Sequence, residues 1–257
     1  MPSVEVLKQR LAREATGRPW LQTAVRYASP AEHEVRWVRR RLAGRFLKGQ
    51  GVEIGALHMP LALPRGASVR YVDRMDADAL RREYADLAGR PLVDVDVIDN
   101  GETLATIADD SVDFVIANHF IEHTEDPLAT LRAHARVLHP GGVLFMAVPD
   151  KRATFDRDRP VTPLEHHVQD AADGPQGSRG SHFEEWARHV EKVPEDRVVE
   201  RARELDAMDY SIHFHVFTPA SFTDLLVHAR REAGIGLEIE GIVPVRHEFI
   251  AILRRTA

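Results

Sequence analysis

The sequence predicts an α/β fold, in which helices flank a doubly wound, mostly parallel sheet that ends in an antiparallel strand. Five short apolar runs each end in an acidic or small residue and lead into a polar, helix-like stretch. Two further runs, 237–245 and 248–255, lie too close together for a crossover helix, so we expect them to pair as a hairpin. The chain has 257 residues, 44% of them hydrophobic, which is enough to bury the core of such a domain.

Composition excludes several functional classes. No apolar run approaches the roughly 18 residues of a membrane span, and the first residues lack the pattern of a signal peptide. The 34 basic and 40 acidic residues give a net charge of −6, which disfavours a general nucleic-acid binder. The absence of cysteine excludes disulfides, thiolate metal sites and cysteine nucleophiles. We therefore expect a cytoplasmic protein that binds neither membranes nor nucleic acids.

Residues 1–45 are predicted to form N-terminal helices. Apolar spacing indicates helices over 4–15 and 31–43, and Pro30 occupies the favoured first position of the second helix. A basic cluster in this region is interpreted as a solvent-exposed helix face, and no site is assigned to it. Its members are Arg36, Arg39, Arg40, Arg41 and Arg45.

Residues 46–150 are predicted to form the ligand-binding core. The clearest element in it is a helix between the fourth and fifth strands, which Asp126 caps, Pro127 begins and the Pro-Gly-Gly run at 140–142 ends. The five core strands are predicted at 51–56, 68–73, 93–99, 112–118 and 142–149.

Residues 151–217 interrupt this alternation and are predicted to form a lid. The segment is rich in Asp, Arg and His, and we expect its glycine-rich stretch at 172–181 to be flexible. A long insertion in a compact domain is usually functional, so we expect the lid to shape a substrate site. The rest, 218–257, comprises a helix from Thr218 to about Arg231 and the terminal hairpin.

Polar residues end the predicted strands, where ligands bind in open α/β sheets. Gly55 permits close backbone approach after the first strand, and Glu53 supplies a charge there. Asp73 ends the second strand about twenty residues later, where a carboxylate could bind the ribose hydroxyls of an adenosine cofactor. Asn118 and His119 follow the fourth strand at the same crevice, and Asp99, Asn100 and Gly101 follow the third, where they could bind the adenine edge.

Residues 51–150 resemble class I S-adenosylmethionine-dependent methyltransferases, in the broad group of ubiquinone and menaquinone biosynthesis enzymes. The segment 148–166 resembles a subgroup associated with polysaccharide and natural-product pathways. The core resemblance rests on Val-Glu-Ile-Gly-Ala at 52–56, Tyr-Val-Asp at 71–73, Ser-Val-Asp-Phe-Val-Ile-Ala-Asn-His at 111–119, Ile-Glu-His at 121–123 and Arg-Val-Leu-His-Pro-Gly-Gly at 136–142.

This resemblance implies a seven-stranded Rossmann-like sheet in a single methyltransferase-like domain, with S-adenosylmethionine as cofactor and S-adenosylhomocysteine as product. Glu53 and Gly55 would hold the methionine end, Asp73 the ribose, and Asp99 with Asn100 or Gly101 the adenine. Ala56 and Asn118 are assigned to the same site. The chain departs from the family at Leu57, where a second glycine is usual, so we expect crowding of the cofactor unless the loop takes another course.

A proton acceptor is needed only if the methyl acceptor starts protonated. His119 and His123 are candidate bases because imidazoles titrate near neutrality, although His123 could instead be structural. Asp150 is a third catalytic candidate, and Arg152 could orient an acceptor or form an internal ion pair with Asp156 or Asp158. The residues assigned to the acceptor site are Arg152, Thr154, Arg159, His166, His213 and His215.

Histidine spacing in the lid also permits a metal site. His213 and His215 would share one face if extended, and His166, His182 or His189 could complete a ligand set. We favour hydrogen bonding in a histidine-lined acceptor pocket and assign no metal ligand.

The favoured function is methyl transfer to an oxygen or nitrogen of a small molecule: a sugar, a polyol or a secondary-metabolite intermediate. A nicotinamide-dependent oxidoreductase is disfavoured because the first loop lacks the Gly-x-Gly-x-x-Gly motif and the terminal hairpin is out of place. A non-catalytic adenosine-binding partner subunit and a rearrangement or cyclisation driven by the same cofactor remain alternatives. The expected partner is the small-molecule acceptor, and a homodimer is compatible with the sequence.

Overall fold

A computed structural model describes residues 30–256 apart from 85, 86 and 88; the helix predicted at 4–15 lies outside this part of the chain. Seven strands form a sheet in the order β3-β2-β1-β4-β5-β7-β6. The strands are β1 Gly49–Ile54, β2 Ala67–Asp73, β3 Val97–Ile98, β4 Val112–Ile116, β5 Leu138–Pro149, β6 Leu237–Val245 and β7 Glu248–Arg255.

This strand order confirms the predicted fold. Strands β1 to β5 pair in parallel, whereas β7 runs antiparallel to both β5 and β6. Strand order reverses at β1, which lies between β2 and β4, so the crevice for a ligand opens at the carboxyl ends of β1 and β4. The residues that follow these strands are therefore the ones placed to contact a ligand.

The third strand is much shorter than the predicted 93–99 span. Only Val97 and Ile98 pair with β2. Just before them, Asp96 donates its backbone N–H to the Tyr71 carbonyl, and its carboxylate accepts from the Tyr71 N–H at 2.8 Å. The side chain thus replaces a ladder bond, and alternating aspartates leave this edge irregular.

The described helices are α1 Pro30–Phe46, α2 Ala77–Glu83, α3 Pro127–Val137, α4 Leu164–Asp173, α5 Gln176–His189, α6 Val198–Ala207 and α7 Pro219–Arg231. The predicted starts of α3 and α7 are confirmed: Asp126 accepts from the Ala129 N–H, and Thr218 accepts from the Ser221 N–H. The prediction of a flexible stretch at 172–181 is wrong, because α5 begins within it, at Gln176. Phe183 and Trp186 of α5 are buried in the lid, and their packing stabilises the helix despite its glycines.

Each face of the sheet carries an apolar layer, and the lid has its own small core. Helices α3 and α7 cover one face through residues such as Leu131 and Phe222, while α1 covers the other through Val35. The lid core includes Phe183 and Leu205. No helix in the described part of the chain is long and apolar enough to cross a membrane.

Gly51 provides a stability test of the β1–β4 pairing. A Cβ at Gly51 would lie 2.3 Å from ring atoms of Phe114 and 2.5 Å from its carbonyl oxygen, so Gly51→Ala forces the central strands apart. We expect the variant to lose about 3 kcal/mol of unfolding free energy, measured from urea denaturation midpoints. Gly180→Ala is the matched control: nothing lies within 4 Å of its Cβ, and helix propensity predicts a gain of about 0.5–1 kcal/mol. Equal midpoints for the two variants would contradict the pairing.

Candidate functional site

Glu53 presents an unsatisfied carboxylate oxygen at the end of β1. The residue is 1% exposed, and its Oε1 accepts a hydrogen bond from the Leu61 N–H at 2.9 Å. Its Oε2 has no partner among the described residues. Burial raises the pKa of Glu53 to about 7, against the smaller opposing effect of the Leu61 hydrogen bond. Oε2 is thus a buried acceptor suited to a ligand ammonium group.

The loop after β1 keeps a glycine-like course although Leu57 replaces a glycine. Gly55 has a φ of +61°, and nothing lies within 4 Å of a Cβ placed on it, so the space beside it is open. Ala56 follows and is buried. Leu57 has a φ of +48°, which costs a branched residue about 1–2 kcal/mol, and its carbonyl accepts from the Val93 N–H at 2.8 Å. The loop therefore turns as the family's glycine would allow, at a cost in strain.

Asp73 ends β2 and Asp99 follows β3, and the two carboxylates have different hydrogen-bond partners. Asp73 Oδ1 accepts from the Arg74 N–H at 2.8 Å, and no described residue bonds to Oδ2. Asp99 uses both oxygens within its own loop, accepting from the Asn100 N–H and from the N–H and hydroxyl of Thr106, all at 2.7 Å. Burial opposes ionisation of Asp99, but these hydrogen bonds outweigh it and lower its pKa. Asp73 Oδ2 is open to a ligand, whereas Asp99 holds its loop in place. Direct contact of Asp99 with the adenine stays a prediction.

The other predicted adenine residues have structural contacts of their own. Asn100 Oδ1 accepts from the Glu102 N–H at 2.7 Å. A Cβ on Gly101 would lie 2.5 Å from Ile54 Cγ2 and 2.7 Å from Phe120 Cζ, so only glycine fits there. Close packing explains this glycine without a ligand.

Asn118, after β4, leaves a second polar atom unsatisfied at the crevice. Its Oδ1 accepts from the Ala147 N–H at 2.9 Å, while its buried Nδ2 has no partner among the described residues. The amide therefore has a fixed orientation and a spare donor. Together with Glu53 Oε2, it places one donor and one acceptor at the carboxyl ends of β4 and β1.

A buried ion pair fixes the orientation of His119. Arg39 binds both carboxylate oxygens of Glu248, which is 1% exposed, and His119 Nε2 lies 2.8 Å from Glu248 Oε2. Burial opposes the charge of Glu248, but His119 and Arg39 outweigh it and lower its pKa to about 2. An ionised Glu248 can only accept, so His119 Nε2 carries the proton. Burial lowers the pKa of His119, although this hydrogen bond opposes the shift.

Arg39 was missed at the sequence level because it lies in the basic cluster assigned to a solvent-exposed face. Its partner Glu248 begins the last strand, 209 positions away. No local pattern links the two residues.

His123 is held beside His213 and the buried Glu122. His123 Nδ1 donates to the Ile212 carbonyl at 2.8 Å, and the His123 and His213 ring centroids are 4.7 Å apart. Burial and the neighbouring His213 lower the pKa of His123 to about 3, which makes it a poor proton acceptor. Burial raises the pKa of Glu122 to about 8. The geometry therefore favours His119 over His123 as a base.

Asp150 and Arg152 satisfy each other. Arg152 Nε lies 2.9 Å from Asp150 Oδ1, and its Nη2 lies 2.5 Å from Oδ2. Burial opposes ionisation of Asp150, but Arg152 outweighs it and lowers the pKa of the carboxyl. The predicted catalytic role of Asp150 is therefore disfavoured, and the ion pair of Arg152 forms with Asp150 rather than with Asp156 or Asp158.

Two other predicted acceptor residues support the lid. Thr154 caps the short 3₁₀ helix Phe155–Asp158 by accepting from the Asp156 N–H at 3.3 Å. Arg159 is 1% exposed and binds Asp156 and Glu185, each at 2.8 Å. The guanidinium of Arg159 thus belongs to an internal network, and its contact with an acceptor stays a prediction.

His213 and His215 belong to different clusters, contrary to the expectation of a shared face. His213 Nδ1 lies 2.7 Å from Asp156 Oδ2, beside His123. His215 lies with His166 and His182, whose Nε2 atoms are 2.9 Å apart. The chain from 211 to 217 is not a regular strand, so alternate residues do not face the same way.

Comparison with known proteins supports the cofactor prediction. Residues 49–146 match a family model described as a methyltransferase domain. This match implies S-adenosylmethionine as the cofactor. No curated protein is similar enough in sequence to be matched with the chain.

Solved structures share the fold at low sequence identity. The PH0226 protein of Pyrococcus horikoshii OT3 is 16% identical with a TM-score of 0.50, over 89% of this chain and 93% of its own. A Rhodobacter sphaeroides protein that carries the name of a Zn-dependent alcohol dehydrogenase is 19% identical with a TM-score of 0.50, over 89% and 92%. A SAM dependent methyltransferase from Aquifex aeolicus is 13% identical with a TM-score of 0.48, over 90% and 96%. At these identities the likeness concerns the fold alone.

Removing Arg39 tests the buried ion pair. Arg39→Met leaves Glu248 buried without its strongest counter-charge, so we expect a loss of about 3 kcal/mol in unfolding free energy at pH 7. The lowered pKa of Glu248 gives stability that is present above the ordinary pKa of 4.5 and lost as the pH falls through about 2. The difference from wild type should therefore shrink in acid, as measured by urea unfolding from pH 7 to pH 2. Arg40→Met, on the exposed side of α1, serves as control, and an equal effect of both variants would refute the assignment.

Proposed function

We propose that this protein transfers a methyl group from S-adenosylmethionine to an oxygen or nitrogen atom of a small molecule, in the class of sugars, polyols or secondary-metabolite intermediates. The observation that carries the proposal is the unpaired, buried Oε2 of Glu53 beside the open turn at Gly55. When bound, S-adenosylmethionine supplies an electrophilic methyl group on its sulfonium. The residues of this chain then bind the cofactor, orient the acceptor and remove its proton.

The residues at the carboxyl ends of β1 and β2 fit the two polar ends of this cofactor. Glu53 Oε2 would accept from the methionine ammonium, and the open space at Gly55 permits close approach of the chain. Asp73 would accept from the ribose hydroxyls through Oδ2, to which no described residue bonds. Asp99 supports this edge by holding its loop, and Asn100 and Gly101 lie in that loop at the proposed adenine side.

His119 is the proposed proton acceptor on the acceptor side. Because Glu248 accepts the Nε2 proton, Nδ1 retains its lone pair. The Arg39–Glu248 pair holds the ring in this tautomer and orientation, as a carboxylate orients a catalytic imidazole in other enzymes. A hydroxyl or ammonium acceptor would lose its proton to Nδ1.

The lid supplies an exposed aromatic ring, Phe155, beside His213 and Trp186. Phe155 is 53% exposed, and its ring centroid lies 4.7 Å from that of His213 and 5.6 Å from that of Trp186. An exposed phenyl ring among polar groups suits an acceptor with an apolar face, such as a sugar or an aromatic ring. Sequence reasoning did not single out Phe155, since one aromatic residue in a polar lid has no local pattern.

Calorimetric titration with S-adenosylmethionine, S-adenosylhomocysteine and NAD tests the proposal. We expect binding of the first two and none of NAD. Asp73→Asn should weaken S-adenosylmethionine binding at least about tenfold, since a charged hydrogen-bond acceptor is lost. Asp94→Asn, at an exposed position of the neighbouring segment, should bind as wild type does. Normal affinity in the Asp73 variant would overturn the ribose assignment.

Transfer itself is measured as acceptor-dependent formation of S-adenosylhomocysteine with pooled alcohols, amines and sugars. Cofactor binding without turnover on any pool would favour a binding subunit. Conversion of the cofactor without a methylated product would favour a rearrangement.

The pKa of Glu53 predicts pH-dependent cofactor binding. Glu53 is largely protonated at pH 6 and must lose this proton to pair with an ammonium, so affinity should rise roughly tenfold from pH 6 to 7.5. Over this range an α-amino group of pKa about 7.7–8 stays mostly charged. Titrations in buffers of different ionisation enthalpy should show release of nearly one proton at pH 6.

Glu102→Gln is the matched control for this titration, since burial and neighbouring acids also raise the pKa of Glu102 to about 7. Glu53→Gln should abolish the pH dependence, and Glu102→Gln should preserve it. The reverse result would assign the proton to Glu102 instead.

A further inference from the structure

Glu122, His123 and His213 converge where the end of β4 meets the lid. Glu122 and His123 lie in the short 3₁₀ helix Ile121–His123, and His213 comes from the segment that precedes α7. One potential ligand atom from each residue lies within 4.8 Å of the other two. Among the described residues, no hydrogen bond joins any two of these three side chains, so their facing atoms remain available.

A hydrogen bond through Nδ1 fixes the orientation of each imidazole. His123 donates through Nδ1 to the Ile212 carbonyl at 2.8 Å. His213 donates through Nδ1 to Asp156 Oδ2 at 2.7 Å, and Arg159 holds the other oxygen of Asp156 at 2.8 Å. In each ring the Nε2 atom therefore carries the lone pair. Metal-bound histidines have this arrangement, in which a carbonyl or carboxylate accepts the second ring N–H and sets the orientation.

The carboxyl group of Glu122 is buried and is available as a metal ligand. The residue is 1% exposed, and neither carboxylate oxygen has a hydrogen-bond partner among the described residues. The imidazole of His119 lies beside it, with its Nδ1 3.6 Å from Oε1, beyond hydrogen-bond distance. A buried carboxylate without a partner is costly, and a bound cation would remove that cost.

We propose that Glu122, His123 and His213 form a binding site for a divalent transition-metal ion. Two imidazole nitrogens and one carboxylate are a donor set that zinc and iron(II) accept, and three protein ligands leave coordination positions open. The mixed nitrogen and oxygen donors favour zinc, cobalt, manganese or iron over magnesium and calcium, which prefer oxygen.

The position of this site suggests a role in acceptor binding, a step that rests on the proposed function. His119 adjoins Glu122, and the Phe155 ring adjoins His213. A hydroxyl oxygen of the acceptor would occupy an open coordination position, where the ion would favour its deprotonated form and the proton would pass to His119 Nδ1. The proposal thus narrows the acceptor to a molecule with such an oxygen.

A second histidine cluster in the lid is the weaker candidate. His166, His182 and His215 also have ligand atoms within 4.8 Å of one another. However, the Nε2 atoms of His166 and His182 face each other at 2.9 Å, the distance of a hydrogen bond, and would have to separate before binding a metal. Among the described residues, no such hydrogen bond has to be broken between Glu122, His123 and His213.

Zinc affinity of the full-length protein tests the proposal without cofactor or acceptor. Chelator-treated protein is titrated with Zn²⁺ in competition with a chromophoric chelator. We expect one site whose affinity falls roughly 100-fold or more in Glu122→Gln and in His213→Gln, because each removes a ligand. His166→Gln, in the other cluster, is the matched control and should leave this affinity unchanged. Far-ultraviolet circular dichroism in chelator confirms that the variants are folded.

Nitrogen-15 histidine spectra of the wild-type protein give a second measurement that needs no variant. Zn²⁺ should shift the Nε2 resonances of His123 and His213 and leave those of His166 and His182 in place. Unchanged affinity in both ligand variants, or shifts confined to His166, His182 and His215, would refute the proposal. Because neither measurement uses S-adenosylmethionine, failure of methyl transfer would leave this result intact, and loss of the metal site would leave cofactor binding intact.

Discussion

The charge of Glu248, buried at the start of the last strand, links three distant parts of the chain. A buried carboxylate must be paired, and here Arg39 of α1 and His119 after β4 provide its partners. Helix α1 is thereby fastened to the terminal hairpin, and the hairpin sets the orientation of an imidazole at the ligand edge. Strand β7 thus completes the sheet and, through Glu248, also orients His119.

Asp156 has the corresponding role in the lid. It accepts from Arg159, which is itself enclosed, and from His213, which faces the end of β4. Its ionisation depends on these contacts, because burial alone would favour the neutral acid. Two buried carboxylates, one on the sheet and one in the lid, therefore hold the imidazoles of His119 and His213 from opposite sides.

Local signals predicted the elements whose ends are encoded within a few residues. The caps at Asp126 and Thr218 lie directly before their prolines, and 237–245 and 248–255 have the lengths of the observed strands. Contacts distant in sequence could not be predicted in this way. Residues 172–181 have a composition typical of a loop, yet α5 runs through part of them because residues later in that helix are buried.

In the candidate site, too, features set by local sequence could be predicted and contacts between distant residues could not. The sequence predicts a common location for Glu53, Gly55, Asp73 and Asn118, because parallel strands bring their carboxyl ends to one edge of the sheet whatever contacts the side chains make. The partners of lid residues could not be predicted, because His213 and His215 separate only after the chain between α6 and α7 takes an irregular course. Arg39 likewise acquires its role from a strand that begins about two hundred residues later.

Buried polar groups that already have a hydrogen-bond or ion-pair partner stabilise the fold, whereas those without a partner are candidates for ligand binding. Asp150 pairs with Arg152, whose side chain is 65% exposed, and Asp156 pairs with the buried Arg159. A ligand would have to break an ion pair to use any of these groups, and in the second case a buried one. Glu53 Oε2, Asn118 Nδ2 and the Glu122 carboxylate have no hydrogen-bond partners within the described part of the chain, and they lie along the carboxyl ends of β1 and β4. Each buried polar group without a partner lowers the stability of the fold by about 1–3 kcal/mol. A ligand with complementary donors, acceptors or charge that bound at the edge of β1 and β4 would recover that free energy.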